Sequence, residues 1–266
     1  MNNLKFGVSY NVFDGEELLE DSILHIRDLV DYISVVYQKV SNWGSPCSDN
    51  LMDILNNLKN KKLIDNLIEY QPINGIHINE VNKRNIGLSL SKENGCTHHM
   101  TMDCDEFYKK DQFTNLINWY RENPNNVGYC SLVNYYKNSN YRILKEDDTH
   151  VTLFFPVENT SFNISVNTPV LIDPTRKPTY SHYNVFSSDF IVMHHMTMVR
   201  NDLSSKLMNS SARLNYNNVK RINDIVEDYR IFNGDRLKVL SIFGHIDIKE
   251  IEKEIILTKF DNNNIK

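Results

Sequence analysis

The spacing of apolar positions changes along this chain, and the changes outline its elements. "KFGVSY" at 5–10 predicts a short strand, and the stretch after it carries Leu19, Ile23, Ile26 and Val30 on one helical stripe. "YISVVY" at 32–37, rich in β-branched and aromatic residues, predicts a second strand. A loop with Asn42, Gly44 and Pro46 then leads to a helix marked by Leu51, Ile54, Leu55 and Leu58. "NLIEY" at 66–70 is a third strand ended by Pro72, and a helical pattern from about 77 to 92 stops before Asn94-Gly95. A fourth strand runs into Asp103, and Phe113, Leu116, Ile117 and Tyr120 mark a helix closed by Pro124. Four strand–helix alternations predict an α/β fold with a mostly parallel sheet flanked by helices.

The second half reads differently. "VGYCSLVNYY" at 127–136 and "HVTLFFPV" at 150–157 predict longer strands, added antiparallel, and 158–188 is rich in loops. Helical stripes return between Leu203 and Leu207 and at Val219, Ile222, Val226 and Tyr229, before Asn233-Gly234 and a short strand "LKVLSIF" at 237–243. Neither an internal repeat nor a Pro/Gly/Ser-rich linker divides the chain. The expectation is a single domain over 1–266, with functional halves 1–125 and 126–266.

Composition narrows the partners. A 41% hydrophobic and 24% charged chain of 266 residues can bury a core, and its net charge of −5 speaks against a phosphate-backbone binder, so no nucleic acid is expected. Cys47, Cys96, Cys104 and Cys130 form no C-x-x-C pair, which predicts reduced thiols and a cytoplasmic location. No apolar run approaches the roughly 18 residues of a membrane span.

The chemistry concentrates in "HHMTMDCDEFY" at 98–108. Carboxylates two apart on an extended segment are expected to point the same way, so Asp103 and Asp105 could share one Mg²⁺ or Mn²⁺ whose other positions take phosphate oxygens. The plain alternative is a solvated acidic turn. Ligands of open parallel sheets bind at the carboxyl ends of strands, and the predicted place of Asp103 at such an end favours the functional reading. His98 and His99, just before, are explained by packing on the sheet.

Residues 83–108, "KRNIGLSLSKENGCTHHMTMDCDEFY", resemble the nucleotide-sugar-dependent glycosyltransferases of the GT-A fold, most closely the family-two-like group. The shared features are an R-N-x-G helix, an apolar strand about twenty residues on, and a D-x-D. The opening "KFGVSYNVFDGEELLEDSI" resembles that group's first strand, and the likeness extends over about 5–135. It implies a Rossmann-like GT-A domain that moves a sugar from a nucleoside-diphosphate sugar donor to a glycan or other hydroxyl acceptor, using Mn²⁺ or Mg²⁺. Within that resemblance Asp103 and Asp105 are expected as metal ligands, completed by His194 or His195. Asn11, Arg84, Asp103, Arg200 and Lys206 are expected at the substrate. Asp189 is expected as the base, with Asp173 and the pair Glu227-Asp228 as rivals. One departure stands out: the second strand runs "SVVYQKVSNWG", without the aspartate that contacts the nucleobase in the group, so the base is not legible. A haloacid-dehalogenase-type phosphohydrolase would want D-x-D-x-T on an early strand and fits poorly. A non-catalytic sugar- or protein-binding module on the same fold stays open as the alternative.

Overall fold

A parallel sheet forms the first half of the computed structural model, which describes residues 4–73, 75–145, 147–210, 213, 219–242 and 244–261. Its elements follow as β1 (Phe6–Val12), α1 (Glu16–Ile26), β2 (Tyr32–Tyr37), α2 (Leu51–Asn60), β3 (Asn66–Glu69), α3 (Ile76–Glu93) and β4 (His98–Asp103). The order is β3-β2-β1-β4, all parallel. β1 and β2 are buried at every position, as strands covered on both faces must be. The chain moves from β1 outward to β2 and β3, then returns to lay β4 on the other side of β1. That reversal is a switch point, where open α/β sheets bind ligands. In register there, at the carboxyl ends, are Asn11 and Asp103.

Then come β5 (Glu106–Phe107), α4 (Lys110–Glu122), β6 (Val127–Tyr136), β7 (Tyr141–Ile143), β8 (His150–Thr152), β9 (Phe155–Pro156), β10 (Tyr183–Val185), β11 (Met193–Met198), α5 (Leu203–Asn209), α6 (Val219–Ile231), β12 (Lys238–Ser241), β13 (Gly244–Glu250) and α7 (Thr258–Asp261). Most of the strands join a second, mixed sheet in the order β12-β13-β7-β6-β11-β5, with β8 and β10 also on β6. The fold is therefore α/β, a mostly parallel sheet flanked by helices with antiparallel strands added.

"HVTLFFPV", expected as one strand, is two: β8 pairs with β6 of the second sheet, and β9 pairs antiparallel with β4 of the first. Leu153 and Phe154 between them are buried, and backbone bonds link Leu153 N to Gly128 O and Gly128 N to Phe154 O. An apolar run without alternation fits this crossing, because both faces meet core. The main hydrophobic cluster draws on both halves, from Phe6 and Val8 to Phe186 and Met193. Of the expected stripes, the side chain of Val219 and Phe243 of "LKVLSIF" lie outside the described residues.

Close approach calls for glycine at position 87, and a left-handed φ calls for it at position 15. At Gly87 on α3 a Cβ would collide with the Ser9 hydroxyl of β1, so glycine lets the helix lie directly on the sheet. Gly15 before α1 has φ of 87°, the left-handed region, and a Cβ there would stand 3.0 Å from the Arg200 guanidinium.

Candidate active site

Asp103 ends β4, but Cys104 and Asp105 form a turn before β5, so strand alternation no longer governs where the second carboxylate points. Both carboxylates nonetheless line one cleft, and their nearest cations differ. Asp103 takes Arg84 Nη1 on Oδ1 at 3.4 Å and Arg176 Nη2 on Oδ2 at 2.5 Å. Asp105 Oδ2 takes Arg200 Nη2 at 2.5 Å and Lys206 Nζ at 3.0 Å, with His195 Nε2 at 3.5 Å. Arg176 also reaches Glu106 Oε1 at 2.5 Å. Four cations, Arg84, Arg176, Arg200 and Lys206, thus face three carboxylates.

Burial and charge compete at these groups. Desolvation is the largest influence on Asp105, whose side chain is 3% exposed, and it disfavours the anion; Lys206, Arg200 and His195 overcome it and hold the carboxyl well below the usual range. Asp103, 37% exposed toward the cleft, is likewise pushed up by desolvation and pulled below its ordinary value by Arg176 and Arg84. Glu106 ends higher than usual, because desolvation, with Asp103 adding to it, outweighs Arg176.

The supports divide into two groups. Arg84, on the buried face of α3, donates to Thr101 Oγ1 at 2.9 Å and Thr175 Oγ1 at 3.3 Å, and with Lys83 and Lys206 it lines the cleft beside Asp103 and Asp105. Arg176 and Arg200 hold the carboxylates from behind. Arg200 donates to the carbonyls of Val199 and Met196, and its own backbone is gripped by the Tyr229 hydroxyl. Each keeps a buried N–H without a hydrogen-bond partner, Nη1 of Arg176 and Nε of Arg200. Asn11 also lines the cleft, and its buried Oδ1 is unpartnered.

The adjacent histidines part company, as neighbours on a strand must. His195 turns to Asp105, its Nδ1 meeting Asn134 Oδ1 at 2.9 Å. His194 is buried against the Tyr135 hydroxyl at 2.7 Å, and desolvation lowers it to about 4 despite Glu254. His98 contacts the Pro124 carbonyl and His99 the Ser91 hydroxyl, both away from the cleft.

Among the carboxylates considered as the base, Asp189 is exposed in the turn before β11 and does not line the cleft. Glu227 pairs with Arg230 and Asp228 with Arg236 on α6. Asp173 does line the cleft, where Oδ1 accepts from Thr175 N and Oγ1, both at 2.7 Å. Sequence reasoning missed Arg176 and Thr175. "DPTR" signals only a turn, with Asp173 capping a 3₁₀ segment at Pro174–Arg176, and nothing in the string says that the turn docks on Asp103.

Of the residues expected at a metal, Asp103 and Asp105 line the cleft, His195 lies against Asp105, and His194 faces elsewhere. Both oxygens of Asp103 and Oδ2 of Asp105 are engaged by cations. Among the described residues, the group of three carboxylates or imidazoles with ligand atoms within 4.8 Å of one another is Asp14, Glu16 and Glu17, at the start of α1. Ser211 and Ala212, in the segment that follows the histidines, lie outside the described residues.

No known family model matches the chain, and no curated protein matches it. Among solved structures, S. aureus TarS 1-349 is similar at 11% identity and a TM-score of 0.46, over 85% of this chain and 72% of that one; its complex with UDP-GlcNAc gives the same values. The mannosyltransferase PcManGT from Pyrobaculum calidifontis, in complex with GDP-Man and Mn2+, is similar at 14% identity and a TM-score of 0.35, over 48% of this chain and 36% of that one.

Proposed function

We propose that this chain transfers a sugar from a nucleoside-diphosphate sugar to a hydroxyl acceptor. The observation that carries the reading is the cleft at the switch point of the sheet, where Lys83, Arg84 and Lys206 stand beside Asp103 and Asp105. Its enclosed part is about 140 Å³, less than the about 300–1,000 Å³ of typical ligand sites. It therefore suits the diphosphate and its neighbourhood, with the rest of the donor reaching along α3.

In this reading Arg84 and Lys206 hold the diphosphate and stabilise the charge that grows on it as the sugar departs. Arg84 does so with a planar fork and Lys206 as a point charge. Asp103 and Asp105 fix these cations in place before substrate arrives, so little reorganisation is needed during reaction. Asp173 is the carboxylate placed to take the acceptor's proton. Residues 1–125 supply the floor of the donor site, and 126–266 bring Asp173 and Lys206 to close it and hold the acceptor.

The test is a thermal-shift panel of UDP, GDP, CDP and dTDP sugars, each with Mn²⁺, with Mg²⁺ and with chelator. One nucleotide is expected to raise the melting temperature, and the shift is expected to persist in chelator because cations of the chain hold the diphosphate. A shift seen only with metal would restore Asp103 and Asp105 as ligands. No shift with any nucleotide would overturn the reading, and binding without transfer to any acceptor would favour the binding module.

A further inference from the structure

A second cavity, of about 470 Å³, lies beyond Lys206 from the donor cleft. Lys206 and Ser210 line both spaces, so the two are contiguous at the side chain that holds Asp105. His195, the other neighbour of Asp105, also lines the cavity. The 170s loop joins the two again: Leu171 lines the cavity, and Asp173, two residues on, lines the cleft.

The walls are mixed in a definite way. Ile143 of β7, Met198 of β11, Leu207 of α5 and Ile246 of β13 form an apolar floor, the open edge of the second hydrophobic cluster. Leu171 stands at the mouth 65% exposed, and Leu144, beside Ile143, is exposed as well. With the floor, Leu171 gives this cavity of ligand size an apolar side. Polar groups gather on the side nearest Asp105, where His195 binds Asn134 and Asn134 Nδ2 donates to Asp147 Oδ2 at 3.2 Å.

We infer that this cavity is the acceptor site and that it selects a hydroxyl acceptor carrying an apolar group, with the hydroxyl toward Lys206 and Asp173 and the apolar body over Leu171 and the floor. The inference rests on the transferase reading for the word acceptor, but the binding chemistry stands apart from it. A bare hydrophilic sugar would leave the floor and Leu171 against water, whereas an alkyl or aryl aglycone would cover them. Each methylene buried adds to affinity.

The experiment measures binding of methyl, butyl and octyl β-D-glucosides to the full chain, the octyl compound below its micelle concentration, with and without the nucleoside diphosphate that shifts the melting temperature most. Octyl glucoside is expected to bind at least tenfold more tightly than the methyl compound. Leu171→Asp, at an exposed position, is expected to remove most of that difference. Ile73→Asp, more exposed still and outside both spaces, is expected to keep it. Equal affinity for all three glucosides, or an octyl gain that both variants reduce alike, would overturn the inference. The glucoside arm without nucleotide decides the cavity whatever the nucleotides do, and their arm decides the transferase reading separately.

Discussion

Asp103 and Arg176 are 73 residues apart in the chain and 2.5 Å apart in the fold. The guanidinium also holds Glu106, so one buried cation answers two carboxylates. Arg176→Ala is therefore expected to destabilise the protein by about 2–3 kcal/mol, because it leaves the buried Glu106 without its ion-pair partner and Asp103 with Arg84 alone. Urea unfolding of both proteins checks this, and a loss under about 1 kcal/mol would contradict the clamp.

Lys206 is the exposed member of its pair, with a side chain 25% accessible, and Asp105 keeps Arg200 and His195 without it. Lys206→Ala should leave the fold close to wild type while weakening nucleoside-diphosphate binding about tenfold, or about 1.4 kcal/mol. Calorimetric titration gives the affinity. Unchanged binding would remove Lys206 from the donor site.

Asp173→Asn separates binding from chemistry. Donor affinity should change less than twofold, whereas transfer should fall by about 10²-fold or more, as removal of a general base does. An equal fall in Asp189→Asn, with Asp173→Asn active, would return the base to Asp189.

Gly87→Ala drives a methyl group into the Ser9 hydroxyl under α3. A cost of about 1–3 kcal/mol is expected from overpacking, accompanied by weaker donor binding because Arg84 rides on the same helix. Wild-type melting and affinity would show that the helix can give way.

Acid should weaken the fold early. Desolvation lowers His99 to about 3 and His194 to about 4, below their ordinary 6.5. The unfolded chain therefore binds more protons than the native one as pH falls from about 6.5 toward 4, and stability present above 6.5 is lost through that window. Unfolding at pH 7 and pH 5 should differ by a few kcal/mol, and His194→Gln should reduce the difference. Below that range the depressed Asp103 and Asp105 add their own loss.

The first half was readable because each of its elements sends a local signal. β2 has the limits its β-branched run marks, and α3 lies within a residue of its expected ends. The second half was less readable because its strands are short and their partners distant. β5 has two residues, and β9 is recognisable only by its bond to β4. At the site, Asp103 and Arg84 announce themselves through a motif. Arg176 does not, because its importance lies in where a loop lands. The turn that begins one residue after Asp103 is equally silent in the string, so it is the fold and not strand alternation that brings Asp105 to the cleft.

The crossing at Leu153 and Phe154 has a mechanical consequence. Two buried residues carry the chain from one sheet to the other, tied on both sides to Gly128, and the Tyr120 hydroxyl donates to the Phe154 carbonyl at 2.5 Å. Swinging the sheets apart would tear those bonds inside the core, so the waist of the molecule is stiff. Any opening of the cleft would then fall to its rim, where the 170s loop and α5 stand, and closures of that kind take microseconds to milliseconds.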